Sequence, residues 1–238
     1  MNTGIIVQAR MTSRRLPGKV LHVVAGKPLM QYLLERIRAH FNSDKIVVAT
    51  SSDPSDKPVS EFCAGFGVDC YRGPLDNVAD RFKEVVDAYS FDNFVRVSGD
   101  SPLLDARLIE RGLNTFREGD FDLVTNVLPR TFPKGQSVEI VRSDTFKKIF
   151  PLIESSEEQE HVTTYFYKNK DRFRIFNFES SGSYVDIQLA IDTSQDMETF
   201  SAIIHSMNRP HWEYSLEELL SLYHQVAKPV AGSFNNQP

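Results

Sequence analysis

The chain has 238 residues, of which 41% are hydrophobic and 25% are charged, as in ordinary globular domains. Its net charge of -5 at pH 7 argues against a general nucleic-acid binder, because such proteins present a basic face. Cys63 and Cys70 are predicted to be reduced and structural, because a chain of this length needs no disulfide scaffold and their spacing fits no zinc or redox motif. The N-terminus lacks a signal-peptide pattern and no apolar run reaches membrane-spanning length, which favours a cytoplasmic protein.

The first element in chain order is an apolar run at residues 5–7, which predicts a buried parallel strand. The polar loop after it carries four cations: Arg10, Arg14, Arg15 and Lys19. Ligands bind beyond the carboxyl ends of strands in open α/β sheets, and guanidinium groups match phosphate oxygens. The loop is therefore predicted to bind a triphosphate, with a solvated basic loop as the alternative.

This loop has neither the P-loop spacing nor the glycine fingerprint of dinucleotide-binding proteins. Neutralisation of a phosphate group is therefore expected to come from side chains, with Arg10, Arg15 and Lys19 facing the ligand. Gly18 is expected to let backbone N–H groups approach the phosphate oxygens closely.

Helical and strand patterns then alternate through residue 125. Helices are predicted at residues 28–40, 56–64, 76–89 (with Asp76 as the N-cap) and 106–116, and strands at residues 45–50, 68–71, 94–97 and 123–125. This β-α-β-α order predicts an α/β fold of three layers around a mainly parallel sheet.

The pattern changes after residue 126. Residues 137–141 predict a strand on the rim of the sheet, residues 143–150 and 157–168 predict helices, and residues 173–178 and 184–191 alternate as half-exposed antiparallel strands do. Residues 127–190 are therefore expected to form a small antiparallel flap that serves as a lid or in dimerisation. Helices are expected at residues 196–205 and 215–226, within a single domain over residues 1–230, and residues 231–238 are expected to be a disordered tail.

Two aspartates follow apolar strands: Asp100, in a Ser-Gly-Asp-Ser-Pro turn, and Asp192. Carboxylates at strand ends are well placed to hold Mg²⁺, which takes few protein ligands together with substrate phosphates. The alternative is a purely structural role, with Asp100 as a turn residue and with Asp192 or Thr193 as the N-cap of the following helix. Asp196 is expected to be structural, complementing the dipole of the helix that follows.

Several segments, in one order, are more specific together than any is alone. They are QARMTSRRLPGKVL, VVATSSD, RGPLDNVADRF, RVSGDSPLLD, FPKGQSVEI, EQEHVTTYFY and IDTSQDMETF. This combination resembles the cytidylyltransferases that activate acidic sugars, the acylneuraminate and 3-deoxy-manno-octulosonate enzymes. The best match is the branch named after the spore coat polysaccharide biosynthesis F protein. The resemblance covers about residues 3–205 and implies the Rossmann-like nucleotide-diphospho-sugar transferase fold.

The resemblance also implies a reaction and a set of site residues. CTP and a sugar acid would give a CMP-sugar and pyrophosphate, with Mg²⁺ as the cofactor and a homodimer as the assembly. The implied catalytic residues are Arg10, Lys19 and Asp100, and the implied metal ligands are Asp100 and Asp192. The implied nucleotide-binding residues are Arg10, Arg15, Gly18, Lys19, Arg72, Asn77, Arg81 and Gly99. The implied substrate-binding residues are Gln136, Glu139, Glu160 and His161.

Two positions depart from the pattern of the branch. Gln159 stands where members usually have Arg, and Ser137 stands where many carry Asp. Both lie on the side of the acceptor or the lid, so the departures bear on the sugar rather than on the nucleotide.

Two other classes of function remain open. A glycosyltransferase of related fold typically carries an Asp-x-Asp metal motif after a strand, and none follows a strand predicted here. A non-catalytic nucleotide-binding subunit is the second alternative, which loss of Lys19 or Asp100 would favour, yet both are present.

Overall fold

A computed structural model describes residues 1–13, 15–41 and 45–227. Arg14 and the tail at residues 231–238, for which disorder was expected, lie outside the described residues. The strands are β1 (Thr3–Gln8), β2 (Val23–Val24), β3 (Lys27–Pro28), β4 (Lys45–Ser51), β5 (Asp69–Gly73), β6 (Asn93–Ser98), β7 (Leu123–Thr125), β8 (Glu139–Arg142) and β9 (Ile175–Asn177). The helices are α1 (Leu29–Arg38), α2 (Lys57–Phe66), α3 (Val78–Tyr89), α4 (Ala106–Glu118), α5 (Ser143–Ile149), α6 (Ser156–Glu160), α7 (Thr164–Lys168), α8 (Ser194–His205) and α9 (Leu216–Val226).

Seven strands form one sheet in the order β5-β4-β1-β6-β8-β7-β9. Six of these strands run in the same direction, and β8 alone is antiparallel to its neighbours β6 and β7. The prediction of a mainly parallel α/β fold is confirmed. A small antiparallel sheet is present as well, but it is the β2–β3 pair rather than a part of residues 127–190.

Two layers of helices cover the sheet. Alternate strand residues such as Ile5 and Val7 pack with α1, α2, α4, α8 and α9, whereas Ile6 and Phe94 pack on the opposite side with α3, α5 and α7. Strands that are buried on both faces need apolar side chains at consecutive positions, which explains the unbroken apolar runs in the sequence. No helix within the described ranges is both long enough and apolar enough to cross a membrane.

The second half of the chain differs from expectation in several places. The strand predicted on the rim at residues 137–141 is β8, which lies inside the sheet because it pairs with β6 on one side and β7 on the other. Its residues Ile140 and Val141 are fully buried on opposite faces of the sheet. The strand β9 pairs in parallel with β7, so the antiparallel prediction for residues 173–178 is wrong. Alternation reports that one face is exposed and does not report strand direction.

Three further predictions are corrected. Residues 184–191 form no strand and make only an isolated bridge between Lys134 and Gln188. The helix predicted at residues 157–168 is divided into α6 and α7. The N-cap of α3 is Asn77, which accepts a hydrogen bond from the N–H of Asp80, and not Asp76.

Candidate active site

A cavity of about 1050 Å³ lies at the carboxyl ends of β1 and β6. Its lining residues are Gln8, Ala9, Arg10, Thr12, Ser13, Arg15, Lys19, Val20, Leu75, Asp76, Val78, Arg81, Arg96, Ser98, Asp100, Ser156, Glu157, Glu160, His161 and Asp192. Five of these carry a positive charge and five a negative charge, so the described lining is close to neutral. This is the edge of the sheet at which open α/β folds bind ligands.

The loop after β1 is held in place by a buried carboxylate. Asp56 is fully buried and accepts hydrogen bonds from the N–H of Met11 at 2.6 Å and from the N–H of Ser51 at 3.2 Å. The carbonyl of Met11 in turn accepts the N–H of Gly18 at 2.8 Å. The loop is therefore fixed to the end of β4 by hydrogen bonds.

Gly18 turns the chain toward the cavity. Its φ of 74° lies in the left-handed region that favours glycine, and it caps a short 3-10 helix, Lys19–Leu21. Because its N–H is bonded to Met11, the contribution of Gly18 is the turn itself. The turn brings the side chain of Lys19 into the cavity.

Lys19, Asp100, Asp192 and Arg15 form what we call the Lys19 centre. The Nζ of Lys19, which is only 7% exposed, donates to Asp100 Oδ2 at 2.8 Å, to Asp192 Oδ1 at 3.0 Å and to the carbonyl of Ile191 at 2.5 Å. Burial lowers the pKa of Lys19, but the charges and hydrogen bonds of the two aspartates outweigh it and raise the pKa above its ordinary value. Arg15 lies 3.7 Å from Asp192 and is largely exposed.

Local backbone geometry sets the positions of the two aspartates. A Cβ at Gly99 would lie 2.9 Å from the carbonyl oxygen of Gln8, so only glycine allows the turn before Asp100 to pack this closely on β1. Thr193 caps α8 in a reciprocal pair of hydrogen bonds with Asp196. Asp192 is therefore not the helix cap, and the prediction that Asp196 is structural is confirmed.

The two carboxylates of the Lys19 centre are groups of the kind that bind Mg²⁺. Among the described residues there is no group of three or more His, Cys, Asp or Glu side chains that could hold a metal ion. Asp100 and Asp192 nevertheless approach one ammonium group from two loops. Mg²⁺ is commonly held by one or two carboxylates, with water and substrate phosphates completing its coordination.

An ion pair crosses the cavity between the loop after β1 and the end of α6. Arg10 Nη2 donates to Glu160 Oε1 at 2.6 Å, and Nη1 donates to Oε2 at 3.3 Å. Each side chain is one-third exposed, so the pair is accessible to a ligand in the cavity. His161, the next residue, is exposed and also lines the cavity.

The sequence analysis missed Arg96, which lies on β6 at the floor of the cavity. Its Nε donates to Gln8 Oε1 at 3.0 Å and its Nη1 donates to Glu139 Oε2 at 2.5 Å. Glu139 Oε1 accepts the hydroxyl groups of Thr163, at 2.6 Å, and of Tyr167. We call these five residues the Arg96 network. The signal in the sequence was an arginine within the apolar run of a buried strand.

Glu139 is ionised within this network. Burial raises its pKa, but the charge of Arg96 and three hydrogen bonds lower the pKa below its ordinary value. Burial of a charged group is tolerated only when partners compensate it, and Glu139 has such partners on both oxygens.

Arg81 lies in the wall of the cavity and is only 1% exposed. Its Nη1 donates to the carbonyl of Pro74 at 2.8 Å, while its buried Nε has no partner among the described residues. Burial, followed by the charge of Arg10, lowers the pKa of Arg81.

The structure gathers eight of the predicted site residues around the cavity: Arg10, Arg15, Lys19, Arg81, Asp100, Glu160, His161 and Asp192. Six others do not line it: Gly18, Gly99, Arg72, Asn77, Gln136 and Glu139. Arg72 holds the carbonyls of Ser51 and Asp53. Gln136 is fully buried and bridges the N–H of Asp105 and the carbonyl of Leu103. Glu139 lies beneath the floor and positions Arg96.

The chain does contain one Asp-x-Asp triplet, Asp120-Phe121-Asp122, but it precedes β7 and lies at the opposite edge of the sheet. Asp120 pairs with Arg142 at 3.0 Å, and Asp122 accepts the hydroxyl of Thr145 at 2.7 Å. The triplet is therefore occupied by structural contacts away from the cavity.

A mainly parallel sheet with a cavity at its carboxyl edge defines the class of open α/β proteins that bind their ligands there. The profile of the family described as cytidylyltransferase matches residues 4–227. The chain therefore belongs to the cytidylyltransferase family and is a nucleotidyltransferase.

Individual proteins agree with this assignment. The chain is 32% identical over 228 residues to the spore coat polysaccharide biosynthesis protein SpsF of Bacillus subtilis, covering 91% of this chain and 92% of that protein. It is 33% identical over 113 residues to a 3-deoxy-manno-octulosonate cytidylyltransferase of Pelobacter propionicus, covering 48% of this chain and 44% of that protein. A solved cytidylyltransferase of Leptospira borgpetersenii superposes with a TM-score of 0.89 at 28% identity, covering 94% of each chain.

Proposed function

We propose that the protein transfers CMP from CTP to a sugar acid and releases pyrophosphate, with Mg²⁺ as its cofactor. The observation that carries the proposal is the Lys19 centre, in which a buried ammonium lies between two carboxylates in the cavity of a cytidylyltransferase. A cation and two metal-binding groups at one place suit a triphosphate–metal complex.

In this reaction an oxygen of the acceptor attacks the α-phosphorus, a new oxygen–phosphorus bond forms and the bond to pyrophosphate breaks. The hydroxyl proton of the acceptor leaves to solvent. Arg10, Arg15 and Lys19 donate hydrogen bonds to phosphate oxygens and stabilise the charge that develops on pyrophosphate. Asp100 and Asp192 would hold Mg²⁺, which supplies Lewis-acid polarisation of the phosphate when bound.

The balance of charge in the cavity supports a requirement for a cation. The five positive charges of the lining are matched by five negative charges, two of which belong to Asp100 and Asp192. A triphosphate brings several further negative charges, which this lining cannot neutralise alone. A divalent cation at the two aspartates restores the balance.

The sugar acid is proposed from the relatives. One is named for spore coat polysaccharide biosynthesis and another for 3-deoxy-manno-octulosonate, which supports a precursor of a bacterial surface polysaccharide. At the two positions that depart from the branch, Gln159 donates to the carbonyl of Glu154 at 3.3 Å, and Ser137 accepts Arg130 at 3.0 Å. Neither side chain lines the cavity.

We also propose that the enzyme works as a homodimer in the cytoplasm, where CTP is made. Three large apolar side chains of residues 127–190 are exposed: Leu152 at 47%, Phe176 at 40% and Val185 at 37%. They support an interface in this region, the expected lid or dimerisation flap.

The test is release of pyrophosphate by the purified chain, with each nucleoside triphosphate against a panel of sugar acids, with and without Mg²⁺. We expect release only with CTP, a matching sugar acid and Mg²⁺. Hydrolysis or transfer from a nucleotide sugar, with no reaction of CTP, would instead identify a glycosyltransferase. Thermal stabilisation by CTP without turnover of any acid would identify a non-catalytic nucleotide-binding subunit.

A further inference from the structure

The floor of the cavity presents a donor that the proposed triphosphate site does not use. Arg96 is 16% exposed at its side chain, and two of its three nitrogens are bonded to Gln8 and Glu139. Its Nη2 has no hydrogen-bond partner within residues 1–13, 15–41 and 45–227. Because Nε is fixed by Gln8 and Nη1 by Glu139, the guanidinium plane is held and Nη2 remains for a ligand.

The charge beneath the floor favours an anion at this position. Arg130 is a second guanidinium near Glu139. Burial lowers the pKa of Arg130, and the charge of Glu139 offsets part of this lowering. Arg130 makes a hydrogen bond to Ser137 but has no ion-pair partner among the described residues, and its buried Nη1 has no partner there. Arg96 is ion-paired with Glu139, and Arg130 is a second positive charge near the same carboxylate, so these three side chains carry a net positive charge.

The position of Arg96 along β6 separates it from the Lys19 centre. Arg96 and Ser98 are two residues apart on one strand and both line the cavity, and Asp100 follows after the strand ends. A strand rises about 3.3 Å per residue, so the Cα atoms of Arg96 and Ser98 are about 6–7 Å apart. The cavity therefore has two separate positions for ligand groups: the Lys19 centre, proposed for the phosphates, and Nη2 of Arg96, nearer the start of β6.

We propose that Arg96 is a specificity-determining residue that binds the carboxylate of the acceptor through its Nη2. This rests on the proposed function, because only the acceptor, and not CTP, carries a carboxylate. Glu139 is a positioning residue, which holds the guanidinium of Arg96 in place from below. Hydrogen bonds between charged partners are stronger than those between neutral groups, and a fixed donor loses little entropy on binding.

The experiment measures equilibrium binding by calorimetry to the full chain, using 3-deoxy-manno-octulosonate and N-acetylneuraminate, each beside its own carboxamide. We expect the wild type to prefer at least one acid over its amide by roughly tenfold or more. In Arg96→Gln the ratio of the affinities for acid and amide should fall close to one. Arg96→Lys should restore part of this ratio.

Removing Arg96 alone leaves Glu139 as a buried carboxylate without its counter-charge, so the single variant is paired with a second one. Arg96→Gln combined with Glu139→Gln removes both charges at similar volume, and Glu139→Gln alone is the matched control. We expect the double variant to lose the preference for the acid. The Glu139→Gln control keeps the charge of Arg96 but not its positioning partner, so it should retain a reduced preference. Circular dichroism checks that each variant is folded.

The inference is overturned if the double variant and its control prefer the acid over its amide equally, or if the wild type prefers neither acid over its amide. It is also overturned if Arg96→Gln weakens the binding of CTP instead of the binding of the acid. The proposed function is judged separately by release of pyrophosphate. An Arg96-dependent preference without turnover would overturn the function alone, and turnover with an unaltered preference would overturn this inference alone.

Discussion

The two sides of the cavity hold their charges in different ways. In the Lys19 centre, the partners of Lys19 lie on two loops, and the side chains of Asp100 and Asp192 are 25% and 37% exposed. In the Arg96 network, Arg96 and Glu139 lie on adjacent strands, and Glu139 is almost fully buried. Partly exposed pairs are exchanged for ligand charges at little cost, whereas breaking a buried pair leaves an uncompensated charge. The first side is thus built to exchange partners and the second to stay fixed.

The largest expected effect is on the exchanging side. Asp100→Asn should lower kcat/KM for CTP at least about 100-fold, because it removes one proposed metal ligand, while the unfolding midpoint changes little since Lys19 keeps Asp192. The measurements are release of pyrophosphate and thermal unfolding, with Asp171→Asn, at an exposed aspartate outside the cavity, as a control. Undiminished Mg²⁺-dependent release by Asp100→Asn would remove Asp100 from the proposed metal site.

Lys19→Ala should lower kcat/KM for CTP by roughly tenfold to a hundredfold, the loss expected for a charged hydrogen bond to phosphate. The same steady-state assay serves, and Lys27→Ala, which removes a lysine paired with Glu35 outside the cavity, is the matched control. If both lysine variants retain the kcat/KM of the wild type, Lys19 does not bind the phosphates and its role is structural.

On the fixed side the main expected effect is on stability. Arg96→Ala should reduce the free energy of unfolding by about 3–5 kcal/mol, because Glu139 is left buried without its counter-charge. Urea denaturation of this variant and of the double variant Arg96→Gln/Glu139→Gln makes the comparison. The double variant should be the more stable of the two, and the opposite order would mean that the pair is not electrostatically coupled.

The contributions of the two sides to the free energy of unfolding should be lost at opposite ends of the pH scale. The pKa of Glu139 is lowered in the folded state, so its contribution is present above the ordinary value of 4.5 and is lost as the pH falls below it. The pKa of Lys19 is raised, so its contribution is present below 10.5 and is lost as the pH rises through the higher folded value. Urea denaturation of Glu139→Gln and Lys19→Met across pH should show flatter acid and alkaline limbs, respectively. Identical limbs in both variants would contradict the assignment.

The smallest effect is expected at Arg15, whose side chain is 73% exposed. Arg15→Ala should change the free energy of unfolding by less than about 0.5 kcal/mol and weaken CTP binding only a few-fold, more at low salt than at high salt. Titration with CTP at two salt concentrations measures this. A loss as large as that of Lys19→Ala, independent of salt, would contradict this and show that Arg15 becomes buried against the phosphates when CTP binds.

The sequence predicted most of the first half of the fold because β1 and β4 are continuous apolar runs followed by a turn. It did not predict the short pair β2–β3. It failed on β8, where the preceding loop with its prolines suggested an edge strand, and on residues 184–191, where alternation was not accompanied by strand pairing. Both errors depend on which strand lies beside which, and short-range patterns do not contain that information.

For the site, the residues found in advance were those at strand ends, where position and charge coincide. The pairing of Lys19 with Asp100 and Asp192 joins residues that are 81 and 173 positions apart, and no local pattern shows this. Arg96 was missed because a charge inside a strand was read as part of the strand. Gln136 was included because its segment matched the family, and it lies in the core instead.

Asp56 has a consequence for any attempt to transplant this chemistry. The carboxylate lies 45 residues after Met11 in the chain, yet it sets the path of the loop that carries Lys19. Grafting residues 9–19 onto another α/β scaffold would transfer the cationic side chains without Asp56, the carboxylate that holds the loop in its path. A designer would have to bring the end of β4 and the 3-10 turn that presents Asp56 along with the loop, as a split motif of two segments.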